Sequence, residues 1–433
     1  MRGARLQAAL GNTRLFGSAI VTQAVLSACN LIIGLVLIRF TTEEDYGRYV
    51  LAYTVLALAI AVPNSAVFGP QAVLGGKWPL DERRQLFSRV ATQLARLCWQ
   101  VGGVVMLGAV LVPGVVLQRW DDVWLAAALI LAAAAAIRRE HLRAVLYLGR
   151  APIDVLRSDS VYALVAVMAA AAAALLAGGQ AAPWVLLGLA LAAWAGGWRA
   201  RAVVGERFGW APDEPVNRLA QLWPLGRWAL LGSMINWSFV QGFYFVMVAL
   251  LDVRAVAAVA ATRLLLMPIN LLATGVGQLL LPMAASWFPT LGGAVVLQRL
   301  SAIAAGLLGV TLTYVALLWV LQDWIMGTIL GREFDEQGAL IAAWSACFAL
   351  GVVRSTISRA AMVVERFKAL SALEAITASV SLTSGALAML QFGAVGGILG
   401  LIAGEVTGMV LMVGYLTHLR RSGVLGPPAP VQT

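Results

Sequence analysis

The chain alternates long apolar runs with short charged interruptions, and the first pair sets the pattern. Runs 16–38 and 49–73 are each about the twenty residues a helix needs to cross the hydrocarbon of a bilayer. Between them stands Arg39-Phe40-Thr41-Thr42-Glu43-Glu44-Asp45-Tyr46-Gly47-Arg48. The three acidic residues fall where the second run starts, and acidic groups favour the positive end of a helix dipole. With Arg39 and Arg48 bracketing them, the stretch reads as the tip of a helical hairpin at a membrane surface. Continued along the chain, the same pattern predicts twelve helical spans, near 16–38, 48–73, 97–117, 123–147, 155–178, 183–204, 224–250, 256–284, 294–321, 338–363, 370–391 and 394–417. The stretch 81–97 places Arg among Leu, Phe and Val at helical spacing, so it is expected to lie on the membrane surface before entering. Pro63, Pro268 and Pro282 fall inside spans and predict kinks there.

Composition supports an all-α polytopic membrane protein. Of 433 residues, 61% are hydrophobic and 12% charged, with a mean hydropathy of +0.85; soluble domains carry about 25% charge. A net charge of +10 could suggest a nucleic-acid partner, but the basic residues are scattered through interruptions between spans and form no face, so no nucleic acid is expected. Their distribution sets the orientation instead. Interruptions and helix ends on the side of the N-terminus hold 25 of the 31 basic residues, with Arg354 and Arg359 counted at the inner end of their helix; the opposite ones hold Arg39, Arg48, Arg119, Arg254 and Arg332, and Arg263 falls inside a span. Both termini are therefore expected in the cytoplasm. The basic N-terminus precedes an apolar run too long for a cleaved signal and reads as the lead-in to the first span.

A polar stretch containing Pro212, Asp213, Glu214 and Pro215 divides the twelve spans in two. The expected organisation is a six-helix bundle over 1–205, a cytoplasmic linker over 206–222, a second bundle over 223–421 and a cytoplasmic tail over 422–433. A shift of 215 residues pairs Gly17-Ser18 with Gly232-Ser233, Arg39 with Arg254 and Arg48 with Arg263. Two pseudo-symmetric halves in parallel orientation explain this register.

Candidate chemistry is sparse. Arg263 lies inside a span, where a cation is costly unless it faces a watery cavity or a partner. It either holds an anionic group in a cavity or pairs with a carboxylate. Arg48 is its repeat mate, and Arg39 and Arg254 sit at the outer rim. Gln23 and Asn30 in the first span, and Asn236 and Gln241 in the seventh, are candidate polar walls of that cavity or interhelical hydrogen-bonders. Glu405 and Glu374 are candidates for coupling to a proton or cation, or for pairing with an arginine. The first two apolar runs contain no Asp or Glu, whereas a pump for cationic drugs needs a carboxylate in its cavity. Gly396, Gly400, Gly404 and Gly408 form one stripe at a spacing of four, which permits close helix packing.

No Gly-x-x-x-x-Gly-Lys-Ser/Thr loop is present. The cysteines Cys29, Cys98 and Cys347 have neither metal nor disulfide spacing and are expected as small apolar residues. His141 and His418 lack ligand spacing, and His141, inside Arg138-Arg139-Glu140-His141-Leu142-Arg143, is expected at the membrane surface. No enzyme activity, cofactor or metal is expected. A membrane glycosyltransferase or polysaccharide polymerase would need a large outer loop or a carboxylate cluster. The longest outer stretch, 322–338, carries Asp323, Glu333, Asp335 and Glu336 and reads as solvated.

The stretch 38–52, ending Tyr46-Gly47-Arg48-Tyr49-Val50-Leu51-Ala52, resembles the first hairpin of bacterial polysaccharide (O-antigen-type) flippases. These belong to the multidrug/oligosaccharidyl-lipid/polysaccharide (MOP) exporter superfamily. The run 393–400 and Glu405 resemble that family's last helix, while Ala257-Ala258-Val259-Ala260-Ala261-Thr262-Arg263 lacks the usual Gly and Tyr of the second-half counterpart. The resemblance implies a MATE-like, V-shaped pair of six-helix bundles. It implies alternating access that moves an undecaprenyl-pyrophosphate-linked oligosaccharide across the inner membrane, with arginines holding the headgroup and the tail in membrane lipid. Polysaccharide polymerase and glycosyltransferases are the partners it implies. The competing expectation within the superfamily is a cation-coupled multidrug or small-molecule antiporter.

Overall fold

A computed structural model describes residues 2–75, 79–149, 151–177, 179–209, 218–364 and 367–422. These residues are almost wholly helical, in the order α1 (Arg2–Phe40), α2 (Glu43–Pro63), α3 (Gly69–Gly75), α4 (Leu80–Ala109), α5 (Trp120–Leu148), α6 (Pro152–Leu176), α7 (Ala181–Phe208), α8 (Arg218–Leu250), α9 (Val253–Leu265), α10 (Met267–Leu291), α11 (Gly293–Trp324), α12 (Gln337–Val363) and α13 (Phe367–Arg421). π-Helical turns follow α2 (Asn64–Phe68), α4 (Val110–Val116) and α11 (Ile325–Leu330).

Ten of the described helices are long and apolar enough to cross a membrane, and the bent pair α9–α10, taken as one broken span, is an eleventh by the same measure. Helix α13 spans 55 residues and breaks at Phe392 and Gly393, where Gly393 has φ +54°, a conformation that favours glycine. Its two arms match the expected spans 370–391 and 394–417. Counted separately they give twelve crossings, because 55 helical residues would run about 80 Å against a core of about 30 Å.

Contacts divide the chain into two units, Met1–Met234 and Ile235–Thr433. The division falls inside α8. The centre of the expected linker, 210–217, and the tail beyond 422 lie outside the described residues, as do Lys77, Arg150 and Arg366.

In the first unit α6 packs against α1 and α7, and α7 packs against α5. Alanines and glycines let these backbones approach: Ser158 donates to the Gly196 carbonyl at 2.8 Å, where a Cβ on Gly196 would strike the Ser158 carbonyl. The stretch 81–97 does not offer an apolar face to a membrane surface. It is continuous with the rest of α4, and its apolar face is covered by protein. Leu86, Val90 and Leu94 pack with Val67, Phe68 and Leu222, while Phe87 joins Leu142, Val145 and Val155. His141 also corrects its expectation. It is only 2% exposed, its Nε2 lies 3.1 Å from the Phe87 carbonyl and its ring lies against Phe68. The arginines flanking it in sequence suggested a surface, but His141 is on the helix face turned toward α4.

The hairpin tip is held from an unexpected direction. Thr42 caps α2 by accepting from the Asp45 amide at 3.1 Å. Asp45 itself is 4% exposed and turns to a different helix, accepting from the Ala181 and Ala182 amides at 2.6 and 3.2 Å. Its carboxylate thus satisfies two of the donors left open at the start of α7. Asp45→Ala is expected to cost about 1.5–3 kcal/mol, since the bonds are charge-assisted, and Asp45→Asn less. Thermal unfolding in detergent measures it, and an unchanged midpoint for Asp45→Ala would remove the cap from the account.

In the second unit α12 is central, packing against α9, α10, α11 and α13. The two arms of α13 meet along the glycine stripe, where a Cβ at Gly400 would fall on the backbone of Gly385. Two of the three expected kinks have structural counterparts, while Pro282 lies within the uninterrupted run of α10. Pro63 directly precedes the first π turn, and Pro268 opens α10 just after a 56° bend. At that bend the Tyr314 hydroxyl donates to the Leu265 carbonyl at 2.6 Å, replacing a bond that the broken helix lost.

Candidate functional site

Helix α9 is short and built from Ala and Val, with Val256–Ala261 buried throughout. Asp252 caps it, accepting from the Ala255 amide at 2.7 Å, and Trp344 of α12 donates to its Val259 carbonyl at 3.0 Å. Arg263 stands in its last turn, where a cation suits the negative end of the helix dipole. Its Nη1 lies 3.4 Å from Gln241 Oε1 and 3.5 Å from the Tyr244 hydroxyl. Its guanidinium carbon lies 5.2 Å over the Trp344 ring. These are weak contacts by distance, and every partner is neutral. Among the described residues no carboxylate pairs with Arg263. Of the two sequence readings of this arginine, pairing with a carboxylate is therefore not what the geometry displays. An amide, a phenol and a π face orient the guanidinium and leave its charge uncompensated.

Farther along α12 is the opposite arrangement. Arg354 Nε and Nη2 lie 2.6 and 3.3 Å from the two oxygens of Glu405, and Nη1 lies 2.6 Å from Glu374 Oε1. The guanidinium also stacks 5.5 Å from the Phe239 ring centre. Glu405 sits 6% exposed beside Gly351 of α12. Two carboxylates thus share one arginine, an excess of one negative charge if both are ionised. Trp344, Cys347, Gly351 and Arg354 follow at helical spacing on α12 and run from the Arg263 cage to the Arg354 triad over about 15 Å.

The other candidates are dispersed. Arg48 forms an exposed pair with Glu44 at 3.0 Å and borders a cleft with Asp45, Asp121 and Asp122. Arg39 is exposed, with its guanidinium 5.8 Å from Phe40. Arg254, Gln23 and Asn236 are exposed on their helices. Asn30 accepts from the Tyr53 hydroxyl at 3.4 Å. Of the eight polar candidates, Arg263 and Gln241 are brought into contact.

The structure adds a buried network in the first unit. Asp159 receives Arg139 at 2.6 Å and Arg143 at 3.0 Å, and Glu140 receives Arg143 at 2.6 Å. Arg139 also lies 3.8 Å over the Tyr162 ring. Two cations meet two anions, which suits a structural role joining α5 to α6. The signal was present in the chain: Arg139 and Arg143 share a helix face at i,i+4, and Asp159 opens the next apolar run.

No family model matches this sequence, and no curated protein matches it. Solved structures do. A lipid II flippase, MurJ, in an inward closed conformation aligns with 93% of this chain and 87% of its own at a TM-score of 0.74 and 11% identity. An inward-facing multidrug resistance MATE family transporter of the MOP superfamily aligns over 93% and 95% at 0.69 and 12% identity. A MATE in complex with MaL6 aligns over 96% of both chains at 0.59 and 14% identity. The described residues form an almost wholly helical polytopic membrane protein whose fold matches that of these flippase and MATE transporter structures.

Proposed function

We propose that the protein is a flippase for an anionic lipid-linked oligosaccharide, an undecaprenyl-pyrophosphate-linked repeat unit. It would carry the headgroup from the inner to the outer leaflet of the bacterial inner membrane by alternating access, with both termini in the cytoplasm. The observation that carries this reading is Arg263, an intramembrane cation whose contacts are neutral. A pyrophosphate supplies the negative charge that the surrounding protein does not, and guanidinium binds phosphate through paired, charge-assisted hydrogen bonds. Gln241 and Tyr244 would hold the guanidinium in position and offer polar edges to sugar hydroxyls. Arg39, Arg48 and Arg254 would meet the headgroup nearer the outer surface. A fold shared with a lipid II flippase supports the class of cargo. Polysaccharide polymerase and glycosyltransferases would be the functional partners.

The Arg354 triad favours a second reading, a cation-coupled multidrug or small-molecule antiporter. Two carboxylates on one arginine give a site able to exchange a proton or a cation. The two readings separate in proteoliposomes. The flippase reading expects translocation of a fluorescent polyprenyl-pyrophosphate oligosaccharide. If that cargo stays in its leaflet while a cationic dye exchanges against a proton or sodium gradient, the antiporter reading replaces it.

A further inference from the structure

The first unit contains a cleft of about 920 Å³ between α2, α4, α5 and the first half of α8. It exists because α4 packs on α5 without packing closely on α2. Its walls are apolar except at Gln93, Arg96 and Gln100, which stand on α4 at i, i+3 and i+7 and so form one polar stripe. Arg96 is exposed and has no ion pair or hydrogen bond among the described residues, and Gln93 Oε1 is buried with no hydrogen-bond partner.

The depth of this stripe is defined by α4. From Leu97 to the end of the π turn at Val116 the helix rises about 30 Å, one hydrocarbon thickness. Leu97, Trp99, Val104, Leu107 and Val116 are more than half exposed along it. Arg96 therefore stands at the headgroup level of one leaflet, on the arginine-rich side of the chain, and Trp223 of α8 joins the cleft with the side chain typical of that level. Beyond Gln100 the cleft offers only hydrocarbon-like wall.

We propose that this cleft is a binding site for an anionic glycerophospholipid, with the phosphate on Arg96, the amides of Gln93 and Gln100 beside it, and an acyl chain between α2 and α4 over α5. An open cation at headgroup depth, set at the end of an apolar slot, matches an anionic amphiphile in both charge and length. The site uses none of the residues assigned to cargo, so it stands or falls independently of the proposed function.

The test is lipid retention by the full-length protein, purified in mild detergent from liposomes containing equal phosphatidylglycerol and phosphatidylcholine and read by native mass spectrometry. Wild type is expected to retain phosphatidylglycerol at least five-fold over phosphatidylcholine. Arg96→Ala should abolish that preference and Arg96→Lys should restore most of it. Ala134→Trp, which fills the slot without touching charge, should lose both lipids. Circular dichroism melts identify variants that fail to fold, and Gln93→Leu with Gln100→Leu then serves as a second headgroup variant expected to weaken the preference. Equal retention of the two lipids by wild type, an unchanged preference in Arg96→Ala, or displacement of phosphatidylglycerol by a neutral polyprenol would each overturn the proposal.

Discussion

Arg263→Ala is expected to leave the protein folded and to lower flipping of a polyprenyl-pyrophosphate oligosaccharide by one to two orders of magnitude. Hydrogen bonds to a charged group contribute about 1.5–3 kcal/mol, equivalent to roughly 10- to 150-fold. The folded protein should tolerate the change, because the lost partners are an amide, a phenol and an indole face, and no charge is stranded. Arg263→Lys should recover part of the activity, since it restores the charge without the planar fork that grips phosphate. Gln241→Ala should have a smaller effect in the same direction. The measurement is initial flipping rate in proteoliposomes, matched for monodisperse protein. A folded Arg263→Ala that flips at the wild-type rate would remove the arginine from the mechanism.

Arg354→Met is expected to do the reverse and damage the fold itself. Glu405 is buried and Glu374 is only partly exposed. Removing their shared cation leaves two neighbouring carboxylates without compensation, and breaking a buried ion pair in this way costs about 3–5 kcal/mol. Thermal unfolding should show a large drop in midpoint, together with poor recovery from the membrane. Arg354→Met combined with Glu405→Leu and Glu374→Gln should regain most of the loss, since the repulsion disappears with the charges. If the single variant unfolds at the wild-type temperature, the triad is not holding α12 to α13. If the triple variant is stable but inactive with either class of cargo, the triad serves transport as well as packing.

The helices were legible because each apolar run is close to one bilayer in length and is punctuated by charge. The break between Leu265 and Met267 was half legible. Pro268 marked a kink, but the Tyr314 hydroxyl that supports it comes from 49 residues away. Arg263 and Gln241 could be chosen as candidates from hydropathy alone, because a cation or an amide within a span is conspicuous. Their neighbours could not. Tyr244 and Trp344 look like ordinary apolar residues until α8, α9 and α12 are folded together. His141 and Asp45 show the same limit from the other side. Charged neighbours in sequence made both look superficial, and only the packing of α5 on α4, and of α2 on α7, shows that they are buried.

The cap that Asp45 places on α7 also orders assembly in time. Its two amide partners lie 136 and 137 residues later in the chain. At about 5–20 residues per second of synthesis, the hairpin tip waits roughly 7–27 s with its carboxylate bonded to water instead of to α7, while the intervening helices are made. The first unit is thus locked only when α7 arrives. A chain truncated before Ala181 lacks both amide partners and keeps the acidic hairpin tip open to water.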